Sequence, residues 1–487
     1  MSNEVIQINR EIKTVTVKDL EKNTIYDESY DELVISTGAN PIMPNIDGYN
    51  LPHVFMVRNV VDIQKLNTFV KAPHINDIVV IGGGFIGVEI ATNLADSKYQ
   101  VTLVEASKQI MAPFDYDMAQ ILHKEMVDHG IHLILNDGIA QISDDHIQLV
   151  SGKKVKAQCV VMSIGVRPET TLAKNAGLRI GETGGIWVDH NYRTSDPNVH
   201  AVGDAIEVFH RLSHQKTRLA LAGPAQRQAR AAADDIYGRF HKNTGVIGSS
   251  VVEIFSLNTA STGLNEKTAT QNGFHYDFVY IIPSDKVGLM PNANPMHFKL
   301  IFEVPTGRIL GAQAIGKGNV DKRIDVIATM IMMGGTLEDL KELELCYAPL
   351  HGTAKDVVNQ AALVALNILN GVYQQLPVSK VRELVESNAY ILDVRETIEF
   401  EEGHLINSVN IPLSQLRNRL DEIPKNQPLY LHCHSSQRSY NALIALKQRG
   451  FDNLWNISGS IVGISHYEYY QDLITNRKCI LTNYLFV

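Results

Sequence analysis

The stretch "IVVIGGGFIGVEIA" constrains the fold most, because it sets Gly82, Gly84 and Gly87 between an apolar run and a helical pattern. An apolar strand that turns at G-x-G-x-x-G into a helix begins a βαβ unit, whose glycines allow a tight turn, close backbone approach to a pyrophosphate and close helix–strand packing. The next strand, "VTLVE", ends at Glu105, where a carboxylate can accept a ribose 2′-hydroxyl. The pattern predicts a dinucleotide site that favours NADH over NADPH. A ligand-free glycine turn and a solvated Glu105 remain the alternatives.

Bulk properties exclude several classes of function. The chain has 487 residues, 45% of them apolar, which is enough for about three domains. A net charge of −9 without a basic block argues against nucleic-acid binding. The sequence shows neither a secretory leader pattern nor an apolar stretch long enough to span a bilayer, so we expect a cytosolic protein. Cys159, Cys346, Cys433 and Cys479 lie far apart without metal-ligand spacing, and we expect no metal site.

Two short stretches suggest contacts to a bulky ligand. "ELVISTGANPIMP" places Thr37, Gly38 and Ala39 directly after a strand, where small residues let a backbone turn approach a ligand. "VHAVGDAIEV" ends a strand at Asp204, whose carboxylate can accept hydrogen bonds from a polyol. On local sequence alone, the Thr-Gly pair is more often a simple turn, and a cap of the next element explains Asp204 about equally well.

A third motif, "PLYLHCHSSQRSYNAL", carries a candidate nucleophile. Cys433 ends an apolar strand, Arg438 follows in C-x4-R spacing, and a helix begins near residues 437–439. The loop N–H groups, the helix N-terminus and Arg438 favour a thiolate and its persulfide anion. C-x4-R encloses a ring suited to a sulfur atom, whereas C-x5-R loops surround a tetrahedral phosphate. The upstream frame "DVRE…EF…GH…NIPL" carries most of the specificity, with Asp393, Arg395 and His404 as structural ties.

Ordered stretches between residue 1 and about residue 370 resemble the flavin-dependent pyridine nucleotide–disulfide oxidoreductases. They include "YDELVISTGANP", "VTLVEASKQIMAPFDYDMA", "GGIWVDHNYRTSDPNVHAVGDAIEV" and "YAPLHGTAKDVVNQ". The likeness is greatest to the branch of coenzyme A disulfide reductase, NADH oxidase and NADH-dependent persulfide reductase. From Leu376 on, the chain resembles a rhodanese domain.

The resemblance implies an activity, two cofactors and a partner. The reaction would be reduction of disulfides or persulfides of the coenzyme A class, dependent on FAD and NAD(P)H and coupled to rhodanese-type sulfur handling. The chain would form a homodimer. Asp204 would bind the FAD ribityl chain, Phe85 would shield the flavin, and Glu89 would lie near the nicotinamide. The cofactor-binding residues implied are Thr37, Gly38, Ala39, Gly82, Gly84, Phe85, Ile86, Gly87, Glu89, Glu105, Gly165, Asp204 and Ala222. Cys433 and Arg438 are the expected catalytic residues.

The predicted fold class is α/β, with N-terminally truncated, doubly wound FAD/NAD(P)-binding domains, an α+β dimerisation domain and a C-terminal α/β rhodanese domain. The expected boundaries are 1–72 for a partial FAD domain and 73–190 for the NAD(P) domain. Residues 191–249 would return to the FAD domain. Residues 250–371 would form the dimerisation domain, and residues 378–487 the rhodanese-like domain.

Several family features do not occur in this sequence. The family's first strand–GxGxxG–helix and its Ser-Phe-x-x-Cys segment are missing, so we expect this chain alone to bind FAD poorly or not at all. Two alternative functions follow: a sulfurtransferase or persulfide carrier with an inert dinucleotide half, or an inactive dimeric remnant. Leu289, Met290 and His351 replace family aromatics, and Ser436 stands where rhodanese loops often have glycine.

Overall fold

The computed structural model describes residues 2–486, which form two compact units. The first unit holds the described residues up to Ile75, with Ala140–Ile147 and Gln158–Gly248. The second holds Asn76–Ile139, Gln148–Ala157 and the described residues from Ser249 on. Among the residues described, no helix combines the length and apolarity needed to cross a membrane.

The strands are β1 (Asn3–Asn9), β2 (Thr14–Asp19), β3 (Thr24–Ser29), β4 (Leu33–Ile35), β5 (Ala39–Pro41), β6 (Val54–Met56), β7 (Asp77–Ile81), β8 (Gln100–Val104), β9 (His132–Ile134), β10 (Ile139–Ile142), β11 (His146–Leu149), β12 (Lys154–Lys156), β13 (Cys159–Met162), β14 (Val166–Pro168), β15 (Val199–Ala201), β16 (Val208–Phe209), β17 (Lys216–Thr217), β18 (Ser250–Ile254), β19 (Leu257–Gly263), β20 (Tyr276–Ile281), β21 (Met296–Glu303), β22 (Ile309–Gly316), β23 (Gln374–Leu376), β24 (Ile391–Asp393), β25 (Val409–Asn410), β26 (Leu429–His432) and β27 (Leu454–Ile457).

The helices are α1 (Val60–Val70), α2 (Phe85–Asp96), α3 (Tyr116–Asp128), α4 (Thr171–Asn175), α5 (Ala222–Ile236), α6 (Glu266–Gln271), α7 (Val320–Met333), α8 (Leu337–Lys341), α9 (Val357–Leu369), α10 (Val381–Glu386), α11 (Thr397–Glu402), α12 (Gln437–Lys447) and α13 (Ser460–Thr475). Short 3₁₀ turns occur at Gly203–Ala205, Val378–Lys380, Leu416–Asn418 and Leu420–Glu422.

The first unit is built from small sheets around one apolar core. Strands β1, β2 and β3 form an antiparallel meander, and β4 pairs in parallel with β15. Strand β5 pairs antiparallel with β14, so Ala39 lies opposite Pro168. Ile35, Val199 and Ala201 belong to a buried cluster that anchors the strand leading to Asp204. The polar, fully exposed strand β3 is one that sequence analysis did not predict.

The second unit contains the βαβαβ arrangement predicted around the glycine motif. Strands β7, β8 and β9 pair in parallel in register, with α2 and α3 as the intervening helices. Val79, Val80 and Leu103 are fully buried, as in a sheet covered on both faces. This places the glycine turn at the carboxyl end of β7, where ligands bind in such sheets.

Two further sheets complete the second unit. The antiparallel sheet has the order β18-β19-β22-β21-β20 and is covered by α7, and the terminal parallel sheet has the order β23-β27-β26-β24-β25. The predicted α/β fold class is therefore confirmed. Helix α9 begins at Val357, because the carboxylate of Asp356 caps it by accepting from the Val358 N–H at 3.3 Å.

Candidate active site

The cysteine loop lies at the carboxyl end of a central strand of the terminal sheet. Strand β26 ends at His432, Cys433 follows it, and α12 begins at Gln437. Cys433 is only 1% exposed. Its N–H donates to Ser460 Oγ at 3.1 Å, and its carbonyl accepts from the Ile461 N–H at 3.2 Å. The start of α13 therefore fixes the backbone of the cysteine.

Two hydroxyl groups approach the sulfur of Cys433. Ser439 Oγ lies 3.5 Å and Ser460 Oγ 3.9 Å from Cys433 Sγ. Both serines are fully buried. Hydroxyl donors stabilise an anionic acceptor more than a neutral one. The arrangement therefore suits a thiolate or a persulfide anion, and the sequence had not singled out either hydroxyl.

The loop turns at Ser436, whose φ of +75° lies in the left-handed region. Such a conformation costs a non-glycine residue about 1 kcal/mol or more. Ser436 Oγ donates to the Ile457 carbonyl at 2.9 Å and contacts Ser460 Oγ at 3.2 Å. These bonds offset backbone strain at a position where rhodanese loops often have glycine.

Arg438 forms a paired contact with an acid from another helix. Its guanidinium donates to both carboxylate oxygens of Glu399, at 2.6 and 2.7 Å. Hydrogen bonds from Arg438 lower the pKa of Glu399 to about 2. The positive charge beside the cysteine loop is therefore balanced by Glu399. The sequence motif revealed Arg438 but not its partner.

The upstream frame positions the loop through buried ion pairs. Arg395 donates to Asp393 Oδ2 at 2.6 Å, and both residues are almost fully buried. Burial alone would raise the pKa of Asp393, but His432 and Arg395 beside it outweigh burial and lower it. His404 stacks on Phe400 with ring centres 3.9 Å apart. The Asp393 carboxylate also lies 3.5 Å from His432 Nε2, which joins the carboxyl ends of β24 and β26.

The glycine turn of the second unit leaves room for a ligand. An added Cβ at Gly84 meets nothing within 4 Å, and Gly82 has a φ of +108°. Glu105 accepts from the Gly83 N–H and from the Ser107 N–H, each at 2.7 Å. Helix α2 begins without a side-chain cap. An open helix N-terminus beside a fixed carboxylate fits the pyrophosphate and ribose of a dinucleotide.

The other nucleotide-site residues lie on the first turns of α2. Phe85 is half-buried, Ile86 and Glu89 are exposed, and Gly87 is buried. The burial of Gly87 agrees with the close helix–strand packing that the glycine motif predicts. The exposed side chains are available to a ligand.

The predicted FAD-type residues lie in the first unit. Thr37 Oγ1 donates to the Glu169 carbonyl at 2.5 Å, and the Gly165 carbonyl accepts from the Ile42 N–H at 2.9 Å. Gly38 has a φ of +72°. These bonds bring the turn after β4 together with the segment around β14.

A cavity of about 400 Å³ in the same unit is lined by Ala39, Thr183 and Asp204. Burial raises the pKa of Asp204, although Arg58 opposes the shift. The hydroxyl of Thr183 is buried without a hydrogen-bond partner among the described residues. Ala222 opens α5, whose N-terminus lacks a side-chain cap. A carboxylate such as that of Asp204 in the wall of a cavity can accept hydrogen bonds from a ligand with hydroxyl groups, such as a ribityl chain.

The remaining thiols have different surroundings. Cys159 is buried in β13, and burial raises its pKa to about 12. Cys346 and Cys479 are exposed, and Cys479 Sγ lies 3.5 Å from the Tyr484 hydroxyl. Among the described residues, Cys433 alone has two serine hydroxyls at its sulfur.

The three residues that stand where the resembling family has aromatic residues lie outside the cysteine loop. Leu289 is 91% exposed, and His351 is also exposed. Met290 follows Leu289 in a loop between β20 and β21. None of the three contacts the cysteine loop in the hydrogen bonds described.

Known proteins match the chain in three consecutive blocks. A model for pyridine nucleotide-disulphide oxidoreductases matches residues 1–229, its dimerisation domain matches residues 249–358, and a rhodanese-like domain matches residues 377–466. Coenzyme A disulfide reductase from Staphylococcus epidermidis is 32% identical over 357 residues, 73% of this chain and 80% of the relative. The chain belongs to the pyridine nucleotide-disulphide oxidoreductases.

Solved structures of this flavin-dependent oxidoreductase family include the rhodanese block. Reduced Bacillus anthracis CoADR-RHD matches with a TM-score of 0.93 and 39% identity, covering 96% of this chain and 85% of that one. An NAD-dependent persulfide reductase from A. fulgidus matches with a TM-score of 0.89 and 32% identity, covering 94% and 84%. The family resemblance seen in the sequence is confirmed. The boundaries within the chain and the roles of individual residues stay predictions.

Proposed function

We propose that this oxidoreductase reduces disulfides or persulfides of the coenzyme A class with NADH and transfers sulfane sulfur at Cys433. The observation that carries the proposal is the pair of buried hydroxyls, Ser439 and Ser460, at the Cys433 sulfur. The names of the relatives support the substrate class.

The sulfur-transfer step uses residues of this chain. The Cys433 thiolate attacks the outer sulfur of thiosulfate, an S–S bond forms, and sulfite leaves with the electron pair of the broken bond. The resulting persulfide carries the negative charge that Ser439 and Ser460 stabilise. The overall reduction is balanced as RSSH + NADH → RSH + HS⁻ + NAD⁺.

The cofactors have candidate residues in each unit. Gly84 and the N-terminus of α2 would hold the pyrophosphate of NADH, with Glu105 at the ribose. A carboxylate there disfavours the extra phosphate of NADPH. Asp204 would hold the FAD ribityl chain. Bound FAD supplies hydride acceptance and two-electron delivery to a sulfur substrate. The dimerisation-domain match supports a homodimer, and a cytosolic location stays a prediction.

The test uses the purified full chain. Visible absorbance of bound flavin, bleached by NADH without oxygen, and NADH oxidation that depends on coenzyme A persulfide or disulfide would support the reductase. Sulfur transfer from thiosulfate to cyanide that Cys433→Ser abolishes would support the role of the loop. NADPH working as well as NADH would contradict the cofactor preference.

A second candidate function is sulfur transfer without reduction. It is favoured because Cys433 is the thiol with two serine hydroxyls at its sulfur among the described residues. Cys159 is buried with a raised pKa, and Cys346 and Cys479 are exposed, so none of these three has a comparable setting for redox chemistry. Protein without flavin that keeps Cys433-dependent sulfur transfer would select this candidate. Loss of both activities in a folded protein would contradict both proposals.

A further inference from the structure

The ring of Tyr280 packs against the start of α13, the helix whose first turn bonds to the cysteine loop. Tyr280 belongs to β20, is 4% exposed, and stands in the block that matches the dimerisation domain. A Cβ added at Gly459 would lie 2.5 Å from the Tyr280 Cε1 atom, and one added at Gly463 would lie 3.1 Å from the same atom. One ring edge therefore covers two glycines of the block that matches the rhodanese-like domain.

The first turn of α13 contacts the thiol residue in several places. Ser460 Oγ accepts from the Cys433 N–H at 3.1 Å and lies 3.9 Å from the Cys433 sulfur. The Ile461 N–H donates to the Cys433 carbonyl at 3.2 Å. The Val462 N–H donates to the carbonyl of His434, the next residue of the loop, at 3.4 Å. The position of this turn therefore decides where the Ser460 hydroxyl meets the sulfur.

The backbone at the start of α13 is strained. Gly459 and Ser460 have φ angles of +75° and +49°, which makes two consecutive left-handed residues. Such a conformation is unfavourable for a serine and persists only where the surrounding structure fixes it. The adjoining glycine can adopt many other conformations. The Tyr280 ring fills the space beside Gly459 and so restricts the turn to the observed conformation.

The ring of Tyr280 is itself held in one orientation. Its hydroxyl lies 2.6 Å from Nδ1 of His297, on the neighbouring strand β21. Burial raises the pKa of Tyr280 well above its ordinary value and lowers the pKa of His297 to about 4. Both groups are therefore uncharged at neutral pH, and the hydrogen bond between them anchors the ring within a five-stranded sheet.

We propose that Tyr280 is a positioning residue for sulfur transfer, whose ring holds the turn at Gly459 and Ser460 so that the Ser460 hydroxyl stays at the Cys433 sulfur. The inference rests on the proposed sulfur transfer at Cys433. Tyr280 acts through the turn, and the reactivity of the thiol depends on a strand outside the rhodanese-like block.

Three substitutions at Tyr280 separate the ring from its hydroxyl. Tyr280→Leu removes the ring edge, whereas Tyr280→Phe keeps the edge and removes the hydroxyl. Tyr280→Met is a second test variant, because a flexible thioether fills irregular space and preserves packing without a rigid edge. Phe302→Leu is the matched control, because Phe302 is fully buried in the same sheet and pairs with Asp277, near the opposite end of β20. Thermal unfolding identifies the folded variants.

The measurement is the pH profile of Cys433 alkylation by iodoacetamide in the full chain, followed by mass spectrometry of the alkylated peptide. The thiolate is the reacting form, so the midpoint of the profile reports how well the site stabilises the anion, whereas the absolute rate also depends on access. In Tyr280→Leu and Tyr280→Met the midpoint should rise by about one pH unit, the effect of losing one hydrogen bond to a charged group. The turnover number of thiosulfate–cyanide transfer should fall about tenfold.

Tyr280→Phe and Phe302→Leu should lose stability and keep the wild-type midpoint, which a merely structural role of Tyr280 would not predict. A wild-type midpoint in folded Tyr280→Leu or Tyr280→Met would overturn the inference, as would an equal rise in Phe302→Leu. Alkylation needs no sulfur donor. Wild-type protein without thiosulfate–cyanide activity would therefore contradict the proposed function alone, while the alkylation profiles would still decide the role of Tyr280.

Discussion

The guanidinium of Arg438 donates to both carboxylate oxygens of Glu399, so the arginine of the C-x4-R motif is also a tie between α12 and α11. Both side chains remain partly exposed, at 34% and 29%. Glu399 therefore holds the Arg438 side chain and balances its positive charge. These two roles separate when the acid alone is changed.

Glu399→Gln should destabilise the protein at neutral pH. Because Arg438 lowers the folded-state pKa of Glu399 to about 2, the pair contributes stability above the ordinary glutamate pKa and loses it as the pH falls toward 2. We expect a loss of about 1 kcal/mol, since solvent screens a partly exposed pair.

Urea denaturation at pH 7 and pH 3 measures this difference in free energy of unfolding, which should be smaller at the lower pH. Glu401→Gln, at an exposed position of the same helix α11, is the control. An equal difference at both pH values would refute the assigned pKa.

Ser439→Ala should slow sulfur transfer while the fold is retained. The change removes the hydroxyl 3.5 Å from the Cys433 sulfur. A hydrogen bond to a charged group contributes about 1.5–3 kcal/mol, which corresponds to at least a tenfold lower rate. Steady-state thiosulfate–cyanide assays measure it, with the exposed Ser414→Ala as control. A rate within twofold of the wild type would show that this hydroxyl does not act on the sulfur.

The sequence predicted the parts of both sites that depend on local pattern. The strand–glycine turn–helix–strand pattern predicts Gly82, Gly84 and Glu105. The C-x4-R spacing predicts Cys433 and Arg438. Ser460 and Asn456 form hydrogen bonds with the sulfur loop from elements distant in sequence. Glu399 stands in the quoted upstream frame, but its pairing with Arg438 joins residues 39 positions apart. A single sequence contains no signal for such contacts. Strand β3 was missed for a different reason, since "TIYDES" is exposed throughout and lacks the alternation that reveals a half-buried strand.

Gly84→Ala should impair nucleotide binding without unfolding the protein. The added methyl group meets no protein atom within 4 Å, so the stability should change by less than about 1 kcal/mol. The same methyl group would enter the space where the backbone approaches a pyrophosphate. We expect NADH affinity to fall by about tenfold or more, as for a contact worth about 1.4 kcal/mol.

NADH binding is measured by calorimetric titration and stability by thermal unfolding. The control is Gly288→Ala, because an added Cβ at Gly288 also meets no atom within 4 Å. Undiminished NADH binding by Gly84→Ala would place the nucleotide elsewhere.

Lys299 neutralises a cluster of one buried and two partly buried acids in the second unit. Its fully buried ammonium lies 2.5 Å from Glu266, 2.8 Å from Asp117 and 3.2 Å from Asp115. Burial raises the pKa of Asp115 and that of Glu266, although Lys299 opposes both shifts. The cluster links the start of α3 to β21 and α6. The positive charge of Lys299 offsets the free-energy cost of removing these carboxylates from water.

Lys299→Met should therefore lower the free energy of unfolding by about 3–5 kcal/mol at pH 8. The change leaves Asp115, Asp117 and Glu266 without the cation that pairs with them. In the variant the pKa values of Asp115 and Glu266 rise further above their unfolded values. Protonation then stabilises the fold below those values, and this contribution is lost as the pH rises through them. The variant should thus regain stability between pH 8 and pH 5, and a second change, Asp115→Asn, should restore part of it at pH 8. Urea denaturation at both pH values measures the effect, with the exposed Lys317→Met as control. A loss that is the same at pH 5 and pH 8 would contradict a role for Lys299 in neutralising the cluster.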